Sequence, residues 1–192
     1  MYMTVLKMTK LSILSAKNLL DVNSSNSVHK WLTAQQDVSR ADGKILYKII
    51  NKNDELYMYI QSKDKFNINN LSDYGFIYVK DFKVLEQLPT VCNFDLQVFP
   101  YKTQQNKRYY IKNIYDRYKW LQTYLNNHGI ELLDCIEYKQ SSINLDKSYN
   151  KRIPTSSFRG TIHIIDMNLA KSLLENGVGR FKNYGCGLML VR

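Results

Sequence analysis

The sequence is poor in the residues that build covalent or metal frameworks. Its 192 residues include three cysteines, Cys92, Cys135 and Cys186, far apart and without a Cys-x-x-Cys pair. An odd, scattered set argues for reduced thiols in the cytoplasm and against a disulfide framework. The three histidines, His29, His128 and His163, keep no ligand-like spacing to those cysteines, so no metal site and no cofactor are expected. No apolar run approaches the ~18 residues of a membrane span, and no membrane partner is expected. Met1–Val5 already has strand character, so no signal peptide is expected. Acidic residues are scarce: 17 stand against 27 lysines and arginines, a formal net charge of +10. Such an excess favours an anionic partner, since clustered cations displace counterions from a phosphate backbone.

What the chain does have is apolar and aromatic material. Hydrophobic residues make up 44%, and fifteen tyrosines dominate the 12% that are aromatic, enough to bury a core and to argue against disorder. The length suits one large domain or two of about 95 residues. Periodicity favours two, each βαββαβ. Tyr2–Lys10 is rich in strand formers, and Asn26–Gln36 places Val28, Trp31 and Leu32 on one helical face behind Asn26-Ser27 as caps. Ile45–Ile50 and Leu56–Gln61 flank the turn residues Asn51-Lys52-Asn53-Asp54. A polar stretch, Ser62–Tyr74, leaves room for a short helical turn before the strand Phe76–Val84.

The second half repeats that order. Val91–Phe99 is a strand, Lys102–Lys112 a basic aromatic hairpin arm, and Asn113–Asn127 an amphipathic helix with Ile114, Tyr118, Leu121 and Leu125 on its inner face. Strands Glu131–Tyr138 and Phe158–Ile165 are expected on either side of a polar loop, Lys139–Ser157. Asp166 caps a helix over Met167–Asn176, Gly177 ends it, and Gly187–Val191 is the last strand. The expected fold is α+β: two tandem ferredoxin-like (RRM-like) βαββαβ domains, 1–88 and 89–192, divided near Pro89.

Four of the eight glycines crowd into eleven residues at Gly177, Gly179, Gly185 and Gly187, with Arg180 and Lys182 between them. Two readings fit this segment: a loop that turns its N–H groups towards a phosphate, or a helix C-cap and tight turn into an edge strand. The pattern Gly-x-Gly-x-x-Lys-x-x-Gly-x-Gly-Leu at the end of a double ferredoxin-like chain resembles the glycine-rich signature of the CRISPR repeat-RNA endoribonucleases. Within them the chain looks most like the CasE branch of type I-E systems. Met1-Tyr2-Met3-Thr4, His29-Lys30-Trp31-Leu32, Trp120-Leu121 and Phe158-Arg159-Gly160 carry the likeness along nearly the whole length.

The resemblance implies metal-independent cleavage of CRISPR precursor RNA at the base of the repeat stem-loop. It also implies retention of the mature crRNA and assembly with other subunits of a surveillance complex. The 2′-OH would attack the adjacent phosphorus, leaving a 2′,3′-cyclic phosphate and a 5′-OH. His29 suits the proton transfer, because histidine titrates nearest neutrality, and it matches the family's active-site histidine. Several CasE relatives carry a tyrosine three residues earlier, where this chain has Asn26; Lys30, Ser39, Arg40 and Lys44 are candidates for the second role, and Lys30 and Arg40 also for RNA contact. Lys102, Lys107, Arg108 and Lys112 on the arm would meet phosphates of the stem, with Arg117 and Lys119 continuing the stripe. Lys151, Arg152 and Arg159 are candidates for a phosphate clamp. His128 and His163 are read as structural. The alternative is a catalytically inactive stem-loop RNA-binding subunit of a ribonucleoprotein.

Overall fold

Strand β1 (Tyr2–Thr9) buries Met3 and Val5 on one face and Thr4, Leu6 and Met8 on the other, as suits a strand inside a sheet. The computed structural model describes residues 1–9, 24–35, 45–53, 55–65, 76–83, 88–145 and 152–192. The chain divides into two units. One comprises Met1–Gln87, Ile143–Arg152 and Asn183–Gly185; the other comprises Leu88–Ser142, Ile153–Lys182 and Cys186–Arg192.

In the first unit, β1 is followed by α1 (Ser25–Gln35), β2 (Leu46–Lys52), β3 (Glu55–Ser62) and β4 (Ile77–Lys83). The sheet order is β2-β3-β1-β4, the ferredoxin-like arrangement. β1 lies antiparallel to both neighbours, with Leu6 opposite Met58 of β3 and opposite Tyr78 of β4. Val28, Trp31 and Leu32 of α1 pack on Leu6, Met8, Met58 and Ile60, and the Trp31 ring stacks on Phe76 at 5.3 Å. Ser24, rather than Asn26 or Ser27, opens the helix: its hydroxyl accepts from Ser27 N–H and its carbonyl from Val28 N–H. The Ser62–Tyr74 stretch, where a short helical turn is expected, lies largely outside the described residues.

The second unit contains β5 (Val91–Val98), a ribbon of β6 (Tyr101–Gln104) and β7 (Lys107–Tyr110), α2 (Ile114–Asn126), β8 (Ile130–Asn144), β9 (Arg152–Ile164), α3 (Met167–Asn176) and β10 (Met189–Val191). Its sheet order, β10-β5-β9-β8, repeats the ferredoxin-like pattern. Asn113 caps α2 and Asp166 caps α3, each accepting two backbone N–H bonds, and Gly177 closes α3 at φ 74°.

Two expectations are corrected here. The polar segment Lys139–Ser157 is not a loop along most of its length, because β8 runs on to Asn144 and β9 begins at Arg152. Hydroxyl pairs replace apolar alternation in this extension. Ser141 bonds Thr155 at 3.0 Å, and Gln97 donates to the same Thr155 hydroxyl. Pro154 is tolerated because β5 pairs with β9 only from Ser156 onward, so no ladder bond from β5 is lost there. On α2, Ile114 points outward, 40% exposed, and Arg117 takes the buried position with Leu121 and Leu125.

Arg117 is 1% exposed and its partner Glu137 2%. The guanidinium forks onto both carboxylate oxygens, with Nη2 at 2.6 Å, while Nη1 donates to the carbonyls of Ile111 and Lys112. Removing one member strands the other charge in the core. Arg117→Ala is therefore expected to lower unfolding free energy by about 3–5 kcal/mol in urea titration. The double change Arg117→Met/Glu137→Leu should recover much of that loss.

Candidate nucleic-acid interface

In the first unit, His29 is partly buried in the second turn of α1, and Lys30 beside it is exposed. The Thr33 hydroxyl donates to both of their carbonyls, at 3.0 and 2.9 Å. The helix start is held by a residue to which the sequence assigned no role. Tyr47, buried in the core, donates its hydroxyl to the Ser25 carbonyl at 3.0 Å. Gly185 lies against the same ring. A Cβ there would sit 3.2 Å from Tyr47 Cε2, and its φ of +87° favours glycine. Only the packed fold brings Tyr47, Ser25 and Gly185 together; tyrosine in a strand carries no such signal. Ser39, Arg40, Lys44 and Lys151 lie outside the described residues. Arg152, exposed, begins β9.

In the second unit, the β6–β7 ribbon turns at Gln105 and Asn106, with φ of 47° and 61°, the primed hairpin geometry. Lys102 stands opposite Tyr109 and Gln104 opposite Lys107, so Lys102, Lys107 and Tyr109 share one face. Arg108, opposite Thr103, is on the other face with its guanidinium 5.6 Å from the Tyr101 ring centre. All three cations are exposed. The ribbon's root is fixed by Phe99 stacked on Tyr101 and by Tyr110 bonded to Ser156 at 2.7 Å. Lys112, just past it, is exposed, but Arg117 is spent on Glu137 and leaves the proposed surface stripe. Lys119 remains exposed on α2.

Arg159 holds its guanidinium carbon 3.8 Å from the Tyr138 ring centre, opposite Asp95 across β5 and β9, and the Tyr138 hydroxyl donates to that Asp95. Arg159 and Asp95 thus both meet Tyr138, one at its ring and the other at its hydroxyl. Burial, then Asp95, pushes the Tyr138 phenol above its ordinary range. His128 holds Nδ1 2.7 Å from the Tyr124 carbonyl and stacks on that ring, while His163 pairs with Glu131 at 3.2 Å. Both histidines are thus engaged in local contacts. Burial, with Asp134 and Glu137 nearby, pushes the Cys135 thiol up to about 12, so it stays protonated near neutral pH and is a poor nucleophile.

The glycine-rich segment uses its backbone donors internally. Gly177 N–H bonds Leu173, Val178 bonds Gly187, Gly179 bonds the Tyr124 hydroxyl, Cys186 bonds Phe181, and Gly187 bonds Gln97. Of the two readings open to this segment, these donors fit the helix C-cap and tight turn, not a phosphate cradle. Glycine serves the turn itself: at Gly187 a Cβ would approach the Val178 carbonyl to 2.6 Å at a φ of +83°. Charge is left to the exposed Arg180 and the partly buried Lys182. Among the described residues no helix is long and apolar enough to cross a membrane, and no three His, Cys, Asp or Glu side chains could hold a metal together.

The profile of the CRISPR associated protein family matches residues 1–192. No curated protein matches the chain significantly. Among solved structures, Thermus thermophilus Cse3 bound to an RNA representing a pre-cleavage complex superposes with a TM-score of 0.84, at 17% identity and covering 100% of both chains. CRISPR endoribonuclease Cse3 bound to a 19 nt RNA gives 0.83 at 19%, covering 100% of this chain and 98% of its own. Cas6e of Escherichia coli K-12 gives 0.70 at 19%, with the same coverage. At these identities the likeness establishes a shared fold.

Gly179 offers a milder contrast to Gly187, since a Cβ there would meet only the Trp120 ring, at 3.5 Å. Both substitutions to alanine strain the backbone at positive φ, by about 1–3 kcal/mol, and Gly187→Ala adds a clash with a carbonyl. Thermal unfolding should rank wild type above Gly179→Ala and Gly179→Ala above Gly187→Ala.

Proposed function

This chain belongs to the CRISPR associated protein family, and from that premise we propose that it is an endoribonuclease cutting CRISPR precursor RNA at the base of the repeat stem-loop. We read it as a member of the CasE branch that keeps its product and joins other subunits of a type I-E surveillance complex. The β6–β7 ribbon carries the reading: a rooted arm with exposed Lys102 and Lys107 on one face and Arg108 on the other, in a chain with the fold of Cse3, whose structures hold RNA. A chain in a CRISPR RNA-guided surveillance complex shares the fold as well, with a TM-score of 0.67 at 18% identity.

The chemistry follows from what RNA itself supplies. The ribose 2′-OH is already next to the scissile phosphorus, so no metal-bound water is needed as nucleophile. His29 takes the 2′-OH proton as O2′ bonds to phosphorus, or gives a proton to O5′ as the P–O5′ bond breaks. The products are a 2′,3′-cyclic phosphate and a 5′-OH. Lys30, exposed on the same helix turn, stabilises the negative charge that builds on the phosphorane. A second reading rests on Asn26, which stands where several relatives carry a tyrosine and cannot move a proton. It makes the protein a stem-loop binder without turnover.

Cognate repeat RNA incubated in EDTA separates the two. Cleavage of all-ribose RNA by the wild type is expected, with none for RNA carrying a 2′-deoxy sugar at the cut site and none by His29→Ala. Tight binding without cleavage by the wild type would favour the binder. Lys107→Ala is expected to weaken binding and to lower the slope of log affinity against log salt by about 1, as filter binding across a salt series would report.

A further inference from the structure

Asp116, Lys119, Trp120, Thr123, Tyr124 and Asn127 line a cleft of about 350 Å³ along α2 that the cleavage chemistry leaves unused. Their spacing of three and four residues puts them on one helix face. The Trp120 and Tyr124 rings lie 5.4 Å apart at 35°, and neighbouring groups fix both. Tyr101 of the ribbon approaches Trp120 at 6.1 Å, with the Arg108 guanidinium over Tyr101. Gly179 N–H donates to the Tyr124 hydroxyl at 3.2 Å, and His128 stacks on the Tyr124 ring at 4.8 Å. A ladder of partly exposed rings therefore joins the cationic arm, α2 and the glycine-rich segment.

We propose that this cleft binds the base of one unpaired nucleotide of the repeat RNA, laid against Trp120 with Tyr124 backing that ring. The inference rests on the reading of the chain as a repeat-RNA-binding protein and adds a recognition site to it. A base inside a stem is covered on both faces, so only an unstacked base can lie on an aromatic ring. Such stacking accepts any base; the polar rim supplies selection. The Asp116 carboxylate accepts N–H groups and repels phosphate, which suits a base edge, while Lys119 and Arg108 suit the flanking phosphates. An apolar peptide would leave Asp116 and Asn127 without partners.

The test uses the full-length protein and repeat RNA carrying 2-aminopurine at each unpaired position in turn. Binding is expected to quench one position. An abasic site there should weaken binding roughly tenfold or more. Trp120→Leu should cause the same loss and abolish the quenching, the two changes together should add nothing, and Trp120→Phe should keep most of the affinity. Absence of quenching at every unpaired position, or losses that multiply when combined, overturns the cleft. If Trp120→Leu does not fold, the wild-type quenching and Trp120→Phe decide. RNA bound tightly by wild type and weakly by Lys107→Ala, but unaffected by Trp120→Leu, overturns the cleft alone. Repeat RNA left unbound by the wild type overturns the broader reading and the cleft with it.

Discussion

Arg117 enters the core of the second unit as a full charge, and its surroundings are arranged by what that charge demands. Taking an ion pair out of water costs several kcal/mol per ion unless geometry and extra hydrogen bonds offset it. Here all three guanidinium nitrogens donate, to the two carboxylate oxygens of Glu137 and to two backbone carbonyls. Those carbonyls, Ile111 and Lys112, stand where the chain leaves β7 for α2, and the Tyr110 ring lies 5.7 Å from the guanidinium. Meeting the charge thus pins the root of the ribbon between a helix and the long strand β8. The cations of the arm ride on a root that cannot swing without exposing a buried ion pair.

Backbone conformation imposes a second constraint. Gly160 faces the β8 backbone so closely that a Cβ would fall 1.9 Å from the Asp134 carbonyl, which lets two long strands close together where any side chain would part them. The C-terminal glycines act in the same way. The N–H groups of Gly177, Gly179 and Gly187 turn inward to Leu173, Tyr124 and Gln97, leaving Arg180 as the exposed charge. In the first unit, Gly185 lies on Tyr47, whose hydroxyl holds the first turn of the helix carrying His29. Glycine's contribution is close approach, and charge comes from side chains between the glycines.

Both ferredoxin-like patterns were legible because their signals are local. Strand formers mark β1, short apolar or alternating runs mark β2 and β3, the 3.6-residue period marks α1, and Asn113, Asp166 and Gly177 sit where caps belong. The misreadings share a cause. Arg117 looked like a surface cation because hydropathy treats arginine as polar; nothing in α2 announces Glu137 twenty residues later. Lys139–Ser157 looked like a loop because its strands are held by hydroxyl pairs such as Ser141–Thr155 rather than by apolar alternation. The candidate site divided likewise. Histidine on α1 and the lysines of the arm were visible as residue types in a pattern, whereas Tyr47 and the Trp120–Tyr124 cleft were not.

The sequence alone determined the cationic character and, among the described residues, the order of strands and helices, since these depend on neighbours within a few positions. The tertiary structure decided which cations remain available. It buried Arg117, laid Arg159 on Tyr138, split Lys107 and Arg108 between the two faces of the ribbon, and turned the N–H groups of Gly177, Gly179 and Gly187 inward. The reason is physical: a charge or a backbone donor is free or spent according to partners that folding brings from distant parts of the chain.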